Sequence, residues 1–213
     1  MNAGDDLGRL VAALRGVGDI GSALRAVLPA ERMRHSEAAS RLAAEVAVRY
    51  GHPGADVVRR AALLHDVGRA LEAPALRDVA VWRGWRPDKY EWAGGMDLLH
   101  GPAGALVAAA AGLPAEGAAA VRYHVTGRPA LTLADKAVMA ADAAEETRPY
   151  AWAEAAREAL AVSLELAVAF WVYLKAEKVR AAGLPLHPRS AQTLAAFDGA
   201  LVAEARRRAR PFL

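Results

Sequence analysis

Ala61-Ala62-Leu63-Leu64-His65-Asp66-Val67-Gly68-Arg69 sets an imidazole and a carboxylate side by side where an apolar helix would otherwise run on. Burying either group unpaired is costly, so something must satisfy both. A divalent metal can do so by taking one nitrogen and one oxygen ligand from adjacent positions. A His-Asp dipeptide alone is weak evidence, and the pair needs further ligand-type residues elsewhere in the chain.

Those residues are present. His35 stands in Arg32-Met33-Arg34-His35-Ser36-Glu37, and Asp142 in Val138-Met139-Ala140-Ala141-Asp142-Ala143-Ala144-Glu145. A helix over 31–50 puts Ala39, Leu42 and Val46 on the stripe that carries His35, the inward one. A helix over 132–147 groups Leu131, Asp135, Val138, Met139 and Asp142 on one side. Asp135 interrupts that apolar stripe and is expected at an exposed helix start. His100 stands in Leu98-Leu99-His100-Gly101-Pro102, where Pro102 suits a first helical turn. His124 lies in Arg122-Tyr123-His124-Val125-Thr126-Gly127-Arg128, near a helix end that Gly127 would terminate. Any one of these histidines reads most simply as a hydrogen-bonded core or surface residue. The chain order His35, His65-Asp66, His100, His124, Asp142 is far more specific.

This ordered set resembles the HD-domain superfamily of metal-dependent phosphohydrolases, which implies an all-α fold, the HD-domain helical bundle. The Leu-His-Gly-Pro and Tyr-His-x-Thr-Gly-Arg motifs, Glu145 and Arg148 after Asp142, and Leu186-His187-Pro188 look like its YqeK-type branch, over roughly residues 31–198. That branch comprises symmetrical bis(5′-nucleosyl)-tetraphosphatases, so the resemblance implies cleavage of diadenosine tetraphosphate into two ADP by a metal-bound water. Carried over position by position, it makes His35, His65, Asp66 and Asp142 ligands of an iron-type metal. Arg32 matches a nucleotide-contacting position, and His100, His124, Val125 and Arg148 match positions near the phosphates. His187 and Pro188 match a loop near the base or ribose. Two departures are visible. Asp66-Val67-Gly68-Arg69 replaces Asp-Tyr-Ala-Lys, with Arg able to hold phosphate bidentately, and an Arg-Asn pair after His187-Pro188 is missing.

Polyphosphate chemistry explains such a residue set. Successive phosphates repel an incoming nucleophile, and a metal offsets that charge while activating water. Arg32, Arg69, Arg128 and Arg148 are expected to clamp the phosphate chain. Asp66 could bridge two metals with His100 and His124 completing a second site, or those histidines could hydrogen-bond phosphates around a single ion. With no cysteine in the chain, thiolate zinc sites, iron–sulfur clusters and disulfides are excluded. Imidazole with carboxylate suits iron, manganese, zinc or cobalt alike, and iron is what the resemblance implies.

A chain of 213 residues with 54% hydrophobic residues can bury a substantial core. Helices are expected over 5–15, 19–28, 31–50, 55–71, 102–112, 115–126, 132–147, 151–182 and 190–209, with 1–30 an N-terminal extension packed on an HD domain over 31–213. Segment 78–96 is irregular. Its Trp82, Trp85 and Trp92 suit a surface loop or homodimer contact, or a lid that stacks on a base. The lack of a signal-peptide pattern and of cysteine fits a cytoplasmic protein. The apolar stretch 159–174 is short for a membrane span and contains Glu165. Net charge is only +3, and all but four of the 27 basic residues are Arg. Nucleic-acid binding is therefore not expected, and Arg206, Arg207, Arg208 and Arg210 read as a solvated helix terminus. His52, beside Pro53 at a turn, reads as structural. The substrate expected is a dinucleoside polyphosphate or an ADP-like nucleotide. Alternatives are another HD-type hydrolase of nucleotides, alarmones or cyclic nucleotides, and a noncatalytic nucleotide-binding regulator.

Overall fold

Alanine-rich segments with a helical period and no alternating runs demand helices packed closely through small side chains. The computed structural model describes residues 3–16, 20–71, 76, 79 and 84–213, and among them the fold is all-α with no strand. The α-helices are α1 (Ala3–Gly16), α2 (Ile20–Arg25), α3 (Ala30–Arg49), α4 (Ala55–Leu64), α5 (Lys89–Ala93), α6 (Met96–Ala110), α7 (Ala115–Tyr123), α8 (Leu133–Ala144), α9 (Ala151–Val162), α10 (Leu164–Ala181), α11 (Pro188–Ala195) and α12 (Gly199–Ala209). Single 3-10 turns cover Val67–Ala70 and Arg210–Phe212.

Helix α8 is the axis of the bundle. Ten consecutive residues from Ala137 are either Ala, Val, Met or acidic, and every residue of α8 except Leu133 and Lys136 is buried. A helix buried on all faces must be surrounded, and α3, α4, α7, α9 and α10 all pack on it. Ala39, Ala43 and Ala47 of α3 and Ala61 and Ala62 of α4 are buried in the same core, which keeps those helices close. Leu10, Val11, Leu14, Leu24 and Leu28, from the first 30 residues, join that core too. Among the described residues, no helix is long and apolar enough to cross a membrane.

Several boundaries differ from the sequence expectation, each for a local reason. The helix expected over 55–71 stops at Leu64, where His65 and Asp66 form a turn into the 3-10 segment. Pro102 is in the interior of α6 rather than its first turn, because α6 already starts at Met96, after Gly95, whose φ of 56° is accessible to glycine. The helix expected over 151–182 breaks at Ser163, an extended residue whose hydroxyl caps α10 by accepting from Leu166 N at 3.0 Å. Asp198 does the same for α12, splitting the span expected over 190–209. Trp82 lies outside the described residues, whereas Trp85 is buried and Trp92 exposed. His52 is structural as expected: its Nδ1 accepts from Gly54 N at 2.9 Å and its Nε2 meets Glu116.

Candidate metal centre

The bundle aims four imidazoles at one point, and a recurring local device orients them. His65 and His124 follow the last residues of α4 and α7, and each Nδ1 bonds the carbonyl three residues back, Ala62 O at 2.6 Å and Val121 O at 2.7 Å. His100, within α6, uses Met96 O at 2.8 Å. A carbonyl only accepts, so Nδ1 carries the proton in all three rings and Nε2 presents a lone pair. His35 of α3 turns Nδ1 to Glu145 Oε1 at 3.0 Å, and Thr147 in turn holds Glu145 through its backbone N–H and its hydroxyl. Such outer partners are what fix ring orientation at a metal.

The Nε2 atoms then meet in pairs, His35 with His65 at 3.0 Å and His100 with His124 at 2.9 Å. Asp142 Oδ1 lies 3.2 Å from His35 Nε2 and 3.6 Å from His65 Nε2. Asp66 spans the two pairs, with Oδ2 3.8 Å from His65 Nε2 and Oδ1 3.3 Å from His100 Nε2. Two overlapping groups, His35–His65–Asp142 and His65–Asp66–His124, each keep their ligand atoms within 4.8 Å of one another and could hold a cation. Nitrogen ligands about 2.1 Å from one metal and at right angles are about 3.0 Å apart, the spacing of both imidazole pairs.

Electrostatics sharpen that fit. Burial, helped by the Arg69 charge, pushes His100 down to about 4, and burial with the neighbouring His100 holds His124 well below the usual imidazole range. Both rings are therefore neutral near pH 7, and two lone pairs face each other at 2.9 Å between buried side chains. Without a cation beside them that contact is repulsive. His35 behaves differently: burial pulls its pKa down, but hydrogen bonds to Asp142 and Glu145 outweigh burial and raise it. For Asp66 and Asp142 burial raises the pKa, yet Arg69 beside Asp66, and Arg148 and Lys175 around Asp142, hold both well below the usual carboxylate range. Neutral imidazoles and ionised carboxylates are the protonation states that metal binding requires.

This cluster forms the floor of a cavity of about 670 Å³, within the range of small-molecule sites. Arg32, His35, Asp66, Arg69, His100, His124, Val125, Asp142, Arg148 and His187 line it, and His65 lies beneath them. Arg32 bonds Asp66 Oδ2, Arg69 Nε bonds Asp66 Oδ1 at 3.0 Å, and Arg148 bonds Asp142. Gly68 makes the approach possible. A Cβ there would lie 2.1 Å from His100 O and 2.9 Å from Gly104 N, so only glycine lets the 3-10 turn press against α6.

Three residues depart from the sequence expectation. Arg128 does not line the cavity; its guanidinium bonds Asp135 through Nε at 2.8 Å and Nη2 at 2.7 Å. Asp135 is fully buried rather than exposed, because it also completes a capping box with Thr132 at the start of α8. Pro188 is the first residue of α11 and is exposed outside the cavity lining, while His187 caps that helix and bonds Asp88 Oδ2 at 3.1 Å. The sequence reading missed Lys175, whose Nζ is 3.6 Å from Asp142 Oδ2 and whose pKa is lowered to about 8 by burial. It also missed the cavity residues Thr147, Tyr150 and Trp171. For Lys175 the available signal was a lysine, one of two with Lys178, within the long apolar span 164–181.

Comparison with known proteins agrees with this geometry. The family model described as HD domain matches residues 32–147, more than half of the chain. No curated protein matches. Among solved structures, that of a predicted HD superfamily hydrolase involved in NAD metabolism from Clostridium acetobutylicum superposes with a TM-score of 0.75. It is 22% identical over 92% of this chain and 96% of its own, a likeness of fold.

Proposed function

The chain belongs to the HD domain family, and from that membership we propose that it is a metal-dependent phosphohydrolase that splits diadenosine tetraphosphate symmetrically into two ADP. The observation that carries the hydrolase reading is the converging set of four Nε2 atoms and two carboxylates at the floor of a cavity walled by Arg32, Arg69, Arg148 and Lys175. His35, His65, Asp66 and Asp142 would hold one ion, with His100 and His124 available for a second, and iron, manganese, zinc or cobalt all suit this donor set. Bound there, the metal would supply Lewis acidity for activating water and neutralising phosphoryl oxygens.

The remaining work belongs to the side chains. Glu145 accepts the Nδ1 proton of His35 and so keeps its Nε2 turned inward. Asp66, with one oxygen toward each imidazole pair, can serve two ions or one ion and a hydrogen-bonded water. Arg32 and Arg69 now neutralise Asp66, and Arg148 and Lys175 flank Asp142. Phosphate oxygens entering the cavity would compete for the same guanidinium donors, which bind them bidentately. Departing ADP carries its own charge, so cationic side chains stabilise it without a proton donor. A neighbour described as involved in NAD metabolism fits a nucleotide substrate and favours a second reading, another HD-type nucleotide phosphohydrolase.

Product chromatography after incubating the metal-loaded protein with diadenosine tetraphosphate tests the proposal. Two ADP are expected. AMP plus ATP, or preferred cleavage of a different nucleotide, would overturn the symmetrical tetraphosphatase and select the second reading.

A further inference from the structure

One wall of the cavity carries more aromatic and cationic side chains than metal binding requires. Trp171, Lys175 and Lys178 recur on α10 at i, i+4 and i+7, the spacing that shares one helix face, and all three line the cavity. The start of α9 adds two rings. Trp152 stacks on Trp171 with centroids 4.8 Å apart, and Tyr150 stacks on Trp152 at 5.1 Å with only 11° between planes. Exposure rises along this stack, from 6% for Trp171 to 51% for Tyr150, which also lines the cavity. Among the described residues Tyr150 has no ring partner besides Trp152.

Cations flank the stack along its length. Lys175 Nζ is 4.2 Å from the Trp171 centroid, Lys178 Nζ is 5.6 Å from that of Trp152, and the Arg148 guanidinium is 5.3 Å from the same ring. Lys175 also lies 3.6 Å from Asp142 Oδ2, so the wall is continuous with the metal-ligand cluster. A rigid, half-exposed ring beside positive charge recognises a flat π-system that carries anionic groups. We propose that the Tyr150–Trp152–Trp171 stack, with Lys175 and Lys178 beside it, is a nucleoside-phosphate subsite in which Tyr150 stacks on the base and the lysines meet its phosphates.

The choice of a nucleotide rests on the function proposed above, but the test stands apart from it. Calorimetric titration of the metal-loaded full chain with ADP and with pyrophosphate separates base contacts from phosphate contacts. Tyr150→Ala is expected to weaken ADP binding on the order of tenfold, to change pyrophosphate binding less than twofold, and to be rescued by Tyr150→Phe. Unchanged ADP affinity in Tyr150→Ala, or equal loss of ADP and pyrophosphate binding, would overturn the subsite. Should diadenosine tetraphosphate prove not to be cleaved while the ADP result holds, the proposed reaction falls and the subsite stands.

Discussion

Replacing Gly68 with alanine tests whether the centre depends on the close crossing of the 3-10 turn and α6. The new methyl would meet His100 O at 2.1 Å, His100 C at 2.8 Å and Gly104 N at 2.9 Å, all backbone atoms that cannot rotate away. Ordinary carbon–oxygen contact begins beyond about 3 Å, so turn and helix must separate by roughly 1 Å. Overpacking of this kind costs about 1–3 kcal/mol. In a domain of this size that lowers Tm by about 2–12 °C. The same shift moves His100 away from Asp66 Oδ1, now 3.3 Å distant, and a 1 Å misplacement in an active site can cost about 100-fold in rate. Thermal denaturation of the apo protein, with kcat on the proposed diadenosine tetraphosphate substrate, reads both effects. A Gly68→Ala variant with unchanged Tm and unchanged kcat would refute the crossing as the device that sets Asp66 against His100.

Glu145→Gln keeps size but weakens the acceptor for His35 Nδ1, and metal affinity is expected to fall about 10–100-fold, as for other outer partners of metal-bound imidazoles; a competing-chelator titration measures it, and equal affinity would remove Glu145 from the site. Arg128→Ala leaves buried Asp135 without its guanidinium. Stability should drop by about 1–3 kcal/mol with KM unchanged, whereas a raised KM at unchanged Tm would return Arg128 to the phosphate clamp. Removing metal with a chelator should lower Tm by about 5–10 °C, the loss expected when a ligand held near 100 times its Kd is withdrawn. Differential scanning calorimetry checks this, and identical Tm with and without chelator would argue against a bound ion.

Much of the site is legible in the sequence because its ligands are rare residue types in apolar, periodic surroundings. His35 and Asp142 fall on inward stripes of α3 and α8, and the structure brings both to His65 and Asp66. What escapes a one-dimensional reading is partner choice. Arg128 and Arg148 look equivalent as arginines near a motif, yet the buried carboxylate of Asp135 captures the first and the cavity keeps the second. Asp135 itself breaks an apolar stripe and suggests exposure, but a capping box and an ion pair hold its Oδ2 inside the core. Lys175 is hidden for the opposite reason: its helix is so apolar that the whole span reads as core, while Lys175 and Lys178 face the cavity. Breaks without glycine or proline, at Ser163 and after Leu64, depend on side-chain capping that periodicity does not register.

Anomalous diffraction from crystals grown with the bound metal tests the central claim most directly. The account predicts a peak within about 2.0–2.3 Å of His35 Nε2, His65 Nε2 and oxygens of Asp66 and Asp142, with any second peak beside His100 and His124. A fully metal-loaded crystal with no peak among these six side chains would contradict it.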